Sequence, residues 1–256
     1  MATLLDLLTP SLSAMDLLGA AAATFLAGFI RAYAGFGMAL AGVPLLARFM
    51  PPSQAVPLVL ILEMFSGLQL VPTSYHEVDW PALRLLLIAA LVTTPVGVWL
   101  LAVVPEDTMR LALSVMVLVA AAVLATGWRA PGSGGPKMAM GLGAIAGVLN
   151  GSSAMCGPPV LFYFLARGTP AASTRASMLM FFLIAGFLAL VASVIGGLVG
   201  ADAVVITAVC LPALTAATAI GRRLFRRSRD GTYRSVAIGL LAAIGVATFV
   251  RTLWGA

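Results

Sequence analysis

Two ionisable residues stand out because their surroundings are almost wholly apolar. Arg31 lies inside the apolar stretch 14–50, and Glu63 lies in another, eleven residues after Pro52. A charged side chain deep in a membrane span costs roughly 2.5–3.5 kcal/mol on insertion scales and marks function by default. Arg31 needs a carboxylate, an anionic ligand or the membrane interface as partner. Glu63 is the only acid inside a span. It can pair with Arg31 or carry a coupling proton, and pairing is the first reading because an unpaired carboxylate at that depth is very costly. Gln69, six residues further on, lines the same path or caps its helix. Arg175 sits about one turn into a later span, as a ligand or as an arginine snorkelling toward the inner face.

The neutral candidates cluster where the apolar pattern fails. Residues 14–50 are interrupted at Arg31-Ala-Tyr-Ala-Gly-Phe-Gly37, and residues 138–167 at Asn150-Gly-Ser-Ser-Ala-Met-Cys-Gly-Pro-Pro159. Glycine, small polar residues and proline interrupt helices. Each break predicts a short helix starting within the membrane, whose first N–H groups lack intrahelical partners and carry partial positive charge. Gly35 and Gly37 permit the turn in the first break, and Gly157 opens the second helix ahead of two prolines. Two such helix starts that converge form an anion site; the plainer reading is kinks and close packing. Asn150, Ser152 and Ser153 offer neutral donors to an oxyanion, or cap the break. Cys156 reads as a small packing residue, and Tyr33 as an interface or pore-lining residue.

Enzyme chemistry finds little here. HExxH, GxSxG, Walker A and CxxC patterns are missing, and the lone histidine is His76. Cys156 and Cys210 form no metal spacing and no disulfide framework. Gly132-Ser-Gly-Gly135 is flanked by prolines and not followed by a Lys-Ser/Thr pair, so it is a linker. The expectation is a non-enzyme without cofactor or metal.

The elements that position these residues are long apolar helices. Of 256 residues 61% are hydrophobic and 9% charged, with a mean hydropathy of +1.08. A soluble domain carries roughly 25% charge, so this composition excludes a soluble enzyme, a disordered chain and a coiled coil. Spans of about 20 residues are predicted at 52–72, 81–103, 107–128, 171–198, 202–224 and 232–253. The pieces after the breaks, 38–50 and 158–167, are too short to cross comfortably. Each half therefore reads as a broken re-entrant helix pair plus three full transmembrane helices. The expected units are a first repeat over 1–130, a cytoplasmic linker over 131–137 and a second repeat over 138–256. Internal identities support a duplication. Gly28 and Pro51 recur at Gly147 and Pro170, an offset of 119. Gly97, Thr108 and Arg110 recur at Gly221, Thr232 and Arg234, an offset of 124.

Charge distribution orients the halves. The net charge of +6 fits basic inner loops rather than nucleic-acid binding. The loop holding Arg222, Arg223, Arg226, Arg227 and Arg229 has Pro105-Glu106-Asp107 as its counterpart in the first half, so the two face opposite sides. Three crossings per half, with both termini outside, place eleven basic residues inside and three outside. This gives an all-α polytopic membrane protein of two inverted repeats. The leading sequence lacks a basic n-region, so no cleavable signal peptide is expected.

The two breaks carry a family resemblance. Gly28-Phe-Ile-Arg-Ala-Tyr-Ala-Gly-Phe-Gly-Met-Ala-Leu-Ala-Gly-Val-Pro-Leu-Leu46 resembles the first-repeat motif of the TauE/SafE sulfite exporter family. Gly147-Val-Leu-Asn-Gly-Ser-Ser-Ala-Met-Cys-Gly-Pro-Pro-Val-Leu-Phe-Tyr-Phe-Leu165 resembles its second, and the likeness continues through Thr174-Arg-Ala176. The chain departs from commoner members at Ala32-Tyr33 and Met155-Cys156, where glycine is usual. The resemblance implies a bacterial-type inner-membrane exporter of sulfite, organosulfonates or related small anions. It makes Arg31, the Gly35–Gly37 turn, Asn150 through Gly157 and Arg175 its binding candidates. The expected partners are a small anion and membrane lipid, with a homodimer as an open alternative. An importer or channel for another organic anion, or a non-transporting membrane subunit, is the alternative reading.

Overall fold

The structure is a computed structural model that describes residues 13–105, 107–109, 111–112, 115, 134–200 and 202–227. Among them every regular element is helical: α1 (Ala14–Ala34), α2 (Met38–Leu46), α3 (Pro52–Leu70), α4 (Trp80–Val103), α5 (Pro136–Ser153), α6 (Gly157–Ala166), α7 (Ala171–Ile195) and α8 (Asp202–Arg227). Five of these, α1, α3, α4, α7 and α8, are long and apolar enough to cross a membrane. Four coincide with predicted spans. The spans expected at 107–128 and 232–253 lie outside the described residues, apart from 107–109, 111, 112 and 115.

The helix ends follow from local chemistry. Ser13 Oγ accepts the Asp16 N–H at 3.2 Å at the start of α1. Asp79 Oδ1 accepts the Ala82 N–H at 3.1 Å at the start of α4. Each supplies an acceptor to one of the first-turn donors that a helix leaves unpaired. Proline opens α3 and α5, where its missing N–H removes nothing.

Both breaks are narrower than the sequence suggests. α1 continues through Arg31, Ala32 and Tyr33 and stops only at Gly35, whose φ of 82° lets its N–H reach Arg31 O at 2.7 Å. α5 likewise runs through Asn150, Gly151 and Ser152 to Ser153. It ends at Ala154 in the same left-handed conformation (φ 57°), with its N–H on Asn150 O at 2.9 Å. Small residues that read as helix-breaking stay in the helix, where Ser152 and Ser153 donate to carbonyls of their own preceding turn, at 2.9 and 2.7 Å. The breaks reduce to Gly35–Gly37 and Ala154–Cys156, again offset by 119.

Each short helix folds back along the helix before it. A Cβ on Gly42 of α2 would lie 3.4 Å from Ala27 Cβ, and one on Gly19 would lie 2.6 Å from the Phe49 ring. In the second half Arg167, just after α6, donates to Gly134 O at 3.1 Å, just before α5. Both broken pairs are thus hairpins whose ends return to where they began.

Glycines let the remaining helices approach backbone to backbone, the packing that membranes favour where lipid removes the hydrophobic drive. Gly143, Gly147 and Gly151 of α5 meet Leu86, Ala90 and Thr94 of α4 in turn, so these helices run parallel. Thr93 ties them by donating to Ala144 O at 2.8 Å. Gly28 of α1 meets Leu214 and Ala217 of α8, and Gly221 of α8 meets Phe29, Ala32 and Tyr33, so this pair also runs parallel. α3 and α7 are antiparallel, with Gly67 on Leu183 and Gly186 on Met64 and Leu60. The glycine partners keep the offsets of the glycines themselves. Leu214 and Ala217 follow Ala90 and Thr93, the partners of Gly147, by 124. Val148, Gly151 and Ser152, the partners of Gly97, follow Phe29, Ala32 and Tyr33 by 119.

Candidate functional site

The crossing of α3 and α7 brings the two breaks and the two buried charges together. Arg31 Nη1 lies 3.1 Å from Glu63 Oε1, with side-chain exposures of 0% and 2%. The guanidinium sits 5.1 Å above the ring of Phe182, near the middle of α7. Its Nη2 lies beside Gly67, where a Cβ would be 3.8 Å away. Gly157, the first residue of α6, packs on Phe36 from the other break and on Phe182, and a Cβ there would be 3.4 Å from Phe36 Cδ2.

The ion pair is incompletely satisfied. It uses one guanidinium N–H and one carboxylate oxygen, and Arg31 Nε, Arg31 Nη2 and Glu63 Oε2 are buried with no hydrogen-bond partner among the described residues. Buried polar groups are normally paired, and a charged one left unpaired costs 1–3 kcal/mol or more. In general, the Nε–Nη2 edge of an arginine is a fork whose geometry matches two oxygens of an oxyanion side by side. Ser66, one turn after Glu63 on α3, is also buried, and its hydroxyl has no partner among the described residues. Sequence reading passed over Ser66, whose three-residue spacing from Glu63 was the available signal.

Other predicted residues have protein partners. Asn150 donates to Ala185 O at 2.8 Å and accepts the Cys156 thiol at 3.3 Å, which ties α5 to α7 and to its own break. Ser153 additionally accepts the Met155 N–H at 3.3 Å. Arg175 donates to Ala32 O at 2.8 Å and to Ser74 Oγ at 3.3 Å, and lies 4.2 Å over the Phe225 ring. It caps the carbonyl end of α1, where the helix dipole is negative. A Cβ on Gly35 would fall 2.6 Å from Arg175 Cγ, so that contact requires glycine. Tyr33 meets Phe225 edge-on at 6.4 Å. Gln69 is half-buried near the end of α3.

The two helix starts differ in donor supply. α2 follows Gly37 (φ 95°), and no side-chain cap satisfies its first N–H groups. α6 also lacks a side-chain cap, but Pro158 and Pro159 remove two of its first-turn donors. No group of three His, Cys, Asp or Glu residues fit for a metal occurs among the described residues.

Comparisons with known proteins give the family. A family profile described as "Sulfite exporter TauE/SafE" matches residues 20–248. The chain belongs to the TauE/SafE family. This TauE/SafE protein is 26% identical over 255 residues to the "Probable sulfite/organosulfonate exporter TauE" of Cupriavidus necator, with 97% of each chain covered. No solved structure matches it. Family membership and five span-length helices make the TauE/SafE protein an integral membrane protein of a transporter class, not an enzyme class.

Proposed function

We propose that this protein is a secondary transporter that exports a small oxyanion, sulfite or an organosulfonate, across a bacterial-type inner membrane. The observation that carries this reading is the buried guanidinium of Arg31, whose Nε and Nη2 have no protein hydrogen-bond partner among the described residues, set where the two breaks meet. The name of the Cupriavidus relative supports the substrate class. Arg31 is the anion ligand, assisted by the open N–H groups that follow Gly35 and Gly37. Gly157, Cys156, Asn150, Ser152 and Ser153 shape the facing break, and Arg175 holds the end of α1. Glu63, Gln69 and Tyr33 border the path.

The halves, 1–130 and 138–256 joined by 131–137, are inverted repeats. Reciprocal pairing supports this: α1 runs parallel to α8, α4 to α5, and α3 antiparallel to α7. Following the chain from one hairpin through α3 and α4 then makes the hairpins open to opposite sides. The anion site lies near the membrane midplane, as expected for transporters built on broken helices. Burial of Arg31 and Glu63 from solvent fits an occluded state, from which rocking of the halves would open either side in turn. Both termini face outward, which puts the arginines ending α8 inside. An interior-negative potential then drives export by about 2.3 kcal/mol per charge per 100 mV. Flux of sulfite, sulfate, sulfoacetate, taurine and small carboxylates from proteoliposomes at clamped voltage tests the proposal. Outward sulfite or sulfonate flux that rises with potential is expected, and none for any anion would refute it.

A further inference from the structure

We propose that Glu63 makes the Arg31 site a charge filter, which admits monoanionic oxyanions and refuses dianions. The inference rests on Arg31 being the substrate ligand, and it narrows the substrate class. Sulfonates qualify directly, and sulfite qualifies as hydrogen sulfite.

The argument is one of charge balance in a dry place. Arg31 and Glu63 together are neutral, and their side chains are 0% and 2% exposed. Among the described residues neither has a second ion-pair partner. The Cys156 thiol donates to Asn150 Oδ1 at 3.3 Å. The Arg175 guanidinium is held by Ala32 O at 2.8 Å, Ser74 Oγ and the Phe225 ring, at the carbonyl end of α1, whose negative dipole offsets part of its charge. An anion on the free Nε–Nη2 edge is therefore attracted by one positive charge and repelled by one carboxylate. Desolvation of an ion grows with the square of its charge, whereas the attraction of Arg31 grows only in proportion. Glu63 cancels much of that attraction, so nothing offsets the desolvation of a second negative charge. Discrimination by a built-in repulsive group is a common route to specificity. The monodentate geometry fits this role: Glu63 takes Nη1 alone, and Nε, Nη2 and its own Oε2 have no hydrogen-bond partner among the described residues.

The test uses purified full-length protein and two oxyanions of fixed charge, methanesulfonate (−1) and sulfate (−2). Each is titrated at matched ionic strength, with thermal stabilisation as the readout. The wild type should respond to methanesulfonate at concentrations lower by about tenfold or more than sulfate. In Glu63→Gln both anions should bind more tightly, with sulfate gaining more, so that the gap closes. Glu63→Asp keeps the charge and should keep the gap. Equal or tighter sulfate binding by the wild type overturns the filter, as does an unchanged gap in Glu63→Gln. The wild-type ratio needs no variant, so it decides by itself if Glu63→Gln does not fold. Failure of the underlying site looks different: neither anion stabilises the wild type, or Arg31→Ala binds both undiminished.

Discussion

Removing one member of the Arg31–Glu63 pair should be far worse for stability than removing both. The partners are 3.1 Å apart and almost fully buried. With charge centres about 4 Å apart and an effective dielectric constant near 20, their attraction is about 4 kcal/mol. Taking away one partner of such a buried pair typically destabilises by 3–5 kcal/mol, because the other charge is left buried alone, whereas an apolar replacement of both is often neutral. Arg31→Met and Glu63→Leu should each lower the melting temperature markedly, and the double variant should recover most of the loss. Transport should not recover with it, since the double variant has no guanidinium fork. The assay is thermal unfolding in one detergent paired with anion flux from proteoliposomes. A double variant that is stable and transports like the wild type would make the pair purely structural and refute the reasoning. Single variants as stable as the wild type would refute the energetics.

Three further expectations concern the breaks and the helix contacts. Gly35→Ala puts a side chain on a residue at φ 82° and into Arg175 Cγ, so it should cost about 1 kcal/mol or more and displace that arginine, measured as lower melting temperature and slower flux. Ala154→Gly relieves a left-handed alanine at φ 57° and should stabilise by roughly 1 kcal/mol, read as a higher melting temperature with flux retained. Gly147→Leu drives a side chain into the α4 backbone at Ala90, and should abolish folded protein on size exclusion, whereas Gly141→Leu, with open space around it, should not.

Much of this architecture was legible from residue type. Pro52 fixed one span's start, and the matched glycines at 28 and 147, and at 97 and 221, were visible because close backbone contact accepts only glycine. Arg31 and Glu63 were conspicuous because charge is rare in apolar spans, and a pairing between them followed from the cost of leaving either alone. The extent of the breaks was not legible. Serine and asparagine have low helix propensity, yet Ser152 and Ser153 bond to their own helix and Asn150 reaches Ala185 O on α7. Phe182 could not be singled out, since nothing local distinguishes it from Phe181 as the ring beneath Arg31. The role of Arg175 at Ala32 was hidden because its acceptor is a backbone carbonyl, which leaves no trace in side-chain type.

The central claim is that a substrate oxyanion rests on the free edge of Arg31 between the two breaks. Anomalous diffraction from crystals grown with selenite, whose selenium stands in for sulfur, reads that position directly. The account predicts a selenium peak about 4 Å from Arg31 Nε and Nη2, with oxygens at hydrogen-bond distance. A peak elsewhere in the fold, with that edge taken up by a protein group, would contradict it.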